Sequence, residues 1–140
     1  EGNDPVLVLN GDTFLNIDYS ELQRWYMQIP TQIAMVVRSM PDVSRYGSVL
    51  MSNDHVSGFM EKENSGPGFI NAGVYIVKPE VFDKYGLSGK FSLEADLLQL
   101  HYKQLSPRAF CTEAYFIDIG VPGDYDRAQH DLPLLSLMKG

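Results

Sequence analysis

Two apolar runs, each stopping at a carboxylate beside a glycine, constrain this chain more than any other feature. Val6-Leu7-Val8-Leu9-Asn10-Gly11-Asp12 lies near one end, and Tyr115-Phe116-Ile117-Asp118-Ile119-Gly120 near the other. A continuous β-branched and leucine run of this kind reads as a strand buried on both faces. Each strand then delivers one aspartate to the end of a sheet, where ligands collect in open α/β folds. Two carboxylates gathered there with no cationic neighbour in sequence repel, unless a divalent cation lies between them. Mg²⁺ carrying a phosphate-bearing substrate is the simplest occupant.

The remaining pattern supplies a sheet to carry them. Asp18-Tyr19-Ser20-Glu21 fits a capping box, so a helix runs through Trp25 and Met27 and ends before Pro30. Residues 32–38 read as a second buried strand, and 45–62 alternate as a hairpin around Ser52-Asn53-Asp54. Residues 69–77 form a strand interrupted by Asn71-Ala72-Gly73, small residues that signal a close approach to the backbone. Pro79 opens a short helix with Val81 and Phe82 inward. Ser92 caps a longer one, with Leu93, Leu97, Leu100 and Leu105 on one side and Glu94 and Asp96 in its first turn. Residues 108–111 and 115–117 are short strands, and Pro122-Gly123-Asp124 opens a last helix. Alternating strands and helices with one inserted hairpin predict a single α/β domain over residues 1–140, with a mixed, mostly parallel sheet.

Composition narrows the partners. The chain has 140 residues, 44% of them hydrophobic, enough for one domain with a core. Its net charge of −7 and the lack of a Lys/Arg stripe argue against nucleic acid. A small anionic substrate stays open, because one metal ion and a few cations outweigh the global field locally. Cys111, the single cysteine, sits in the apolar stretch Ala109-Phe110-Cys111 and is expected as a buried core thiol. His55, His101 and His130 lack ligand spacing, which argues against zinc or iron. No apolar run reaches membrane-span length and no signal peptide is visible, so a cytoplasmic setting is expected.

Four segments in order resemble the sugar-phosphate nucleotidyltransferase (nucleoside-diphosphate-sugar pyrophosphorylase) family. They are Leu9-Asn10-Gly11-Asp12, Phe59-Met60-Glu61-Lys62, Phe69-Ile70-Asn71-Ala72-Gly73-Val74-Tyr75 and Phe116-Ile117-Asp118-Ile119-Gly120-Val121-Pro122. Arg45-Tyr46-Gly47-Ser48-Val49 and the stretch from Tyr115 to Tyr125 look most like its heptose-1-phosphate guanylyltransferase branch, with the mannose-1-phosphate branch next. The resemblance implies a Rossmann-like nucleotidyltransferase fold and a reaction. A sugar 1-phosphate attacks the α-phosphate of an NTP, GTP by branch, giving an NDP-sugar and pyrophosphate. It implies that Asp12 and Asp118 hold catalytic Mg²⁺, that Lys62 contacts the sugar 1-phosphate, and that Glu61 hydrogen-bonds sugar hydroxyls. Gly11, Gly47, Asn71, Ala72 and Gly73 are the further substrate-side positions it implies.

The family's N-terminal glycine-rich phosphate loop has no counterpart here, since neither Gly2 nor Gly11 opens a helix. Together with a first strand that nothing precedes, this leads us to expect the C-terminal, sugar-phosphate and metal-binding part of such an enzyme, inactive alone. A catalytically silent module that binds sugar nucleotide is the rival reading. A metal-dependent glycosyltransferase is a third, disfavoured because Asn10-Gly11-Asp12 lacks the Asp-x-Asp of such enzymes. Expected partners are small molecules, with self-association through the apolar 132–138 tail left open.

Overall fold

The computed structural model describes residues 4–60 and 65–119. Glu61 and Lys62 lie outside them, as does the helix expected from Pro122 onward. The described elements are β1 (Val6–Leu9), β2 (Thr13–Leu15), α1 (Tyr19–Met27), β3 (Ile33–Met40), β4 (Ser48–Ser52), β5 (His55–Met60) and β6 (Gly68–Val77). They continue with α2 (Glu80–Lys84), a π-helical turn (Leu93–Leu98), α3 (Gln99–Leu105), β7 (Arg108–Thr112) and β8 (Phe116–Asp118).

Six strands form one sheet in the order β1-β6-β3-β7-β5-β4, and β2 pairs with β8 in a small second sheet. The sheet is mixed, as expected, but its balance differs. Among the described residues β3 and β7 run parallel, while the other paired neighbours are antiparallel. β6 turns the chain back between β1 and β3, which antiparallel pairing permits without a helical crossover.

β3 shows why its sequence is apolar throughout. Ile33, Met35 and Val37 pack with Tyr75, Val77, Val81, Leu97 and Leu98 on one face. Ala34 and Val36 pack with Leu22, Tyr26, Ile76 and Phe116 on the other. The period-two alternation of a strand places these two sets in opposite core layers. Burying each such aliphatic side chain contributes about 1.5–3 kcal/mol. α1 starts where the capping pattern places it, with Asp18 Oδ1 accepting from the backbone N–H of Ser20 at 2.9 Å. The hairpin turns at Asn53, which takes the left-handed conformation (φ 58).

Three expectations are corrected. β1 is an edge strand rather than a doubly covered one: among the described residues it pairs with β6 alone, and Val6, Leu7 and Leu9 are exposed. The single helix expected after Ser92 is a π-helical turn followed by α3. The wider turn shifts the phase of the leucines, so Leu97 and Leu98 are buried while Leu100 is exposed. Cys111 is exposed, because β5 leaves β7 after the His55–Arg108 pairing and leaves the end of β7 uncovered.

Candidate active site

The two aspartates converge through backbone pairing. Asp12 directly precedes β2, and Thr13 lies opposite Asp118 across the β2–β8 pair. The Ile119 N–H donates to the Asp12 carbonyl at 2.9 Å. Both acids border one cavity of about 550 Å³ at the carboxyl end of β1. Upstream of β8, Arg38 fixes the entry of the strand. Its Nε donates to the Ala114 carbonyl at 2.9 Å and its Nη2 to that of Glu113 at 3.2 Å.

A second wall comes from the loop before β4 and from the end of β5, with Arg45, Gly47, Phe59 and Met60 at the cavity. Asp42 ties this loop down. Its carboxylate accepts from Ser44 N at 3.1 Å, Ser44 Oγ at 3.0 Å and Gly66 N at 3.1 Å. The Gly66 N–H and the two Ser44 donors hold the Asp42 carboxyl below its ordinary range. Gly47 must be small here, since a Cβ would stand 3.2 Å from the Met60 carbonyl oxygen. Glu61 and Lys62 follow Met60 directly in sequence, so the chain leaves the described residues at the cavity.

The Asn71-Ala72-Gly73 interruption is a bulge. Ala72, Gly73 and Val74 together lie opposite Val36 of β3, and Gly73 has φ 79. The group pressing on its backbone belongs to the protein itself. A Cβ on Gly73 would stand 2.5 Å from Thr13 Oγ1 and 3.0 Å from Asn10 Nδ2. Ala72 is wholly buried in the core layer under α1, and its carbonyl accepts from Thr13 Oγ1 at 3.5 Å. Of the three, Asn71 borders the cavity. Gly11 is exposed, with open space where a Cβ would point.

Asn71 organises the floor. Its Nδ2 donates to the Tyr75 hydroxyl at 2.8 Å and to Glu94 Oε2 at 2.6 Å, while its Oδ1 accepts from Gly73 N at 2.8 Å. Burial pushes the Tyr75 hydroxyl up to about 12, against the opposing pull of the Asn71 side chain. Glu94, Gln99 and Tyr102 complete the lining, and sequence reading missed all three as site residues. Glu94 reads in sequence as an ordinary helix-dipole acid, and nothing in the residue pattern announces a π-helical turn.

The chemistry of the lining suits a hydrated divalent cation and a phosphate. Asp12 and Asp118 bring hard oxygen donors to one cavity, and Arg45 adds a guanidinium. Among the described residues no cluster of three or more His, Cys, Asp or Glu could enclose a metal ion. Two carboxylates would suit Mg²⁺, a hard cation that keeps water and substrate phosphate in its shell.

A mixed sheet that brings paired carboxylates and a guanidinium to one polar cavity defines an α/β domain of the nucleotidyltransferase type. The chain belongs to the nucleotidyl transferase family, whose profile matches residues 1–133. It is 36% identical over 127 residues to the D-glycero-alpha-D-manno-heptose 1-phosphate guanylyltransferase of Aneurinibacillus thermoaerophilus, covering 91% of this chain and 55% of that protein. It is 43% identical over 119 residues to the protein of the same name from Campylobacter jejuni, covering 84% of this chain and 52% of that one. The crystal structure of HddC from Yersinia pseudotuberculosis matches with a TM-score of 0.78 at 34% identity, over 92% of this chain and 56% of that chain. A second structure of HddC is a complex with GMP-PN. The chain spans about half the length of the curated relatives it matches. The family and the mixed α/β fold expected from the sequence both stand.

Proposed function

We propose that this chain forms the sugar-phosphate and metal side of a sugar-1-phosphate nucleotidyltransferase. The reaction joins an NTP, GTP by likeness to the guanylyltransferases, to a heptose or mannose 1-phosphate, with release of pyrophosphate. The observation that carries the reading is the meeting of Asp12 and Asp118 at one cavity across the β2–β8 pair. Nucleotidyl transfer asks a protein mainly for positioning and for stabilisation of charge on phosphate oxygens.

Asp12 and Asp118 would hold Mg²⁺, which when bound neutralises phosphate charge. Arg45, at the same cavity, would supply a cation for a phosphate oxygen. Lys62 and Glu61 follow the wall residue Met60, and in this reading they take the sugar phosphate and the sugar hydroxyls. Gly47 lets the backbone approach the sugar. A pair of unit charges 4 Å apart is worth roughly 4 kcal/mol at an effective dielectric near 20, so each of these groups matters individually.

The test is pyrophosphate release by the longest native polypeptide containing this sequence, with GTP and a panel of sugar 1-phosphates. Turnover with a heptose or mannose 1-phosphate is the expected result. No release with any sugar phosphate and any NTP would leave a binding module instead. The 140-residue chain alone is expected to turn over little or not at all.

A further inference from the structure

Glu94 and Gln99 both border the cavity, although a plain α-helix would point them well apart. Five α-helical residues advance the side-chain direction to about 140° out of phase, nearly to the opposite face. Here the Gln99 N–H donates to the Glu94 carbonyl, the wider i→i−5 pattern, and Gln99 returns above Glu94. Tyr102 borders the same cavity from beyond a kink at His101, whose φ of −124° and ψ of 15° break the helix. The same widening leaves both Leu97 and Leu98 fully buried, so the core holds the turn in place.

Asn71 sets the carboxylate on this wall. An amide has two N–H donors, and Asn71 directs its donors to Tyr75 and Glu94. Asn71 is thereby a positioning residue, and Glu94 presents the acceptor. Asp12 and Asp118, the place where phosphate would sit, line the same cavity.

We propose that the π-helical turn is a specificity device: it brings Gln99 round to the cavity that Glu94 and Tyr102 also line, so that the three read the hydroxyl pattern of a sugar ring. This rests on the function proposed above and names the residues that choose its acceptor. A carboxylate acceptor, an amide with both donor and acceptor, and a phenol form a wall suited to a polyol. Such a wall discriminates through hydroxyls, because a lost partner leaves a polar group unpaired.

The experiment is calorimetric titration of mannose 1-phosphate and its singly deoxygenated derivatives into the protein and its Gln99→Ala and Glu94→Gln variants. Both side chains are exposed, so the variants are expected to keep the parent's thermal unfolding midpoint. Each variant should weaken mannose 1-phosphate by roughly three- to tenfold. For each, at least one deoxygenated derivative should bind variant and parent equally, a coupling to one hydroxyl that a merely structural role would not produce. Variants within about twofold of the parent for every ligand overturn the inference, as does uniform weakening of all of them or no binding by the parent. Pyrophosphate release is scored separately. Turnover without hydroxyl coupling sinks this inference alone, whereas failure of turnover sinks the function itself.

Discussion

At the scale of single residues, the proposed function asks charge of Asp12 and Asp118, not shape alone. Asparagine at either position keeps the size of the side chain and removes the negative charge that a divalent cation needs. If the proposed function holds, Asp12→Asn and Asp118→Asn should each lower kcat for pyrophosphate release by roughly 10²-fold or more in the polypeptide that turns over, the usual loss when a transition-state electrostatic partner is removed. Losses under about tenfold for both would take them off the metal. Tyr75 makes a different prediction, read in stability rather than rate. Its hydroxyl ionises at about 12 in the folded protein, above its ordinary value of 10.0, because burial disfavours the phenolate. The unfolded chain therefore releases this proton first as pH rises. The contribution is fully present below pH 10 and is lost as pH climbs toward 12. Denaturant melts between those limits should show stability falling, by at most about 1.4 kcal/mol per pH unit from this group. Tyr75→Phe should flatten that part of the profile, and an unchanged slope in the variant would refute the assignment.

At the scale of elements, the bulge in β6 and the turn before α3 build the site, and they differ in how legible they are. The bulge is announced by Asn71-Ala72-Gly73, because only residues without bulk permit a backbone to turn and be approached there. What the sequence cannot show is that the approaching groups are Asn10, just past the end of β1, and Thr13, at the start of β2. Gly73→Ala should cost at least 1–3 kcal/mol, since φ 79 disfavours any Cβ and Thr13 Oγ1 stands in its place. The same variant should loosen β2, and with it Asp12. A melting temperature equal to the parent's would show that the bulge relaxes without cost. The aspartates were readable for a simple reason: an apolar strand ending in an acid has few uses besides carrying it to a strand end. Glu94, Gln99 and Tyr102 were not, because helical periodicity assumes one pitch, and a π-helical turn changes the pitch without changing the residue types. The edge position of β1 was equally hidden. An all-apolar run reads as doubly buried whether or not a neighbour is present to cover it.

At the scale of the whole molecule, β1 ends the sheet on one side among the described residues, and that edge bears on how the 140-residue chain behaves. β1 carries Leu7, 49% exposed, and Leu9, 53% exposed, on a strand whose described hydrogen-bonding partner is β6 alone. No charge or proline interrupts residues 6–9, although natural edge strands are commonly guarded by such residues against pairing with another chain. The opposing influence is global: a net charge of −7 makes copies of the chain repel one another at low ionic strength. Salt screens that repulsion within about 10 Å at 0.1 M and leaves the apolar edge attraction nearly unchanged. The 140-residue chain should therefore associate in a manner that grows with both concentration and salt. Leu7→Lys places an inward-repelling charge on the edge and touches no group of the active site, so it should restore a monomer in sedimentation velocity at the same salt. If the parent chain sediments as a monomer at every salt concentration, the β1 edge is covered and this account of it is wrong. If Leu7→Lys associates as strongly as its parent, the contact lies elsewhere on the surface.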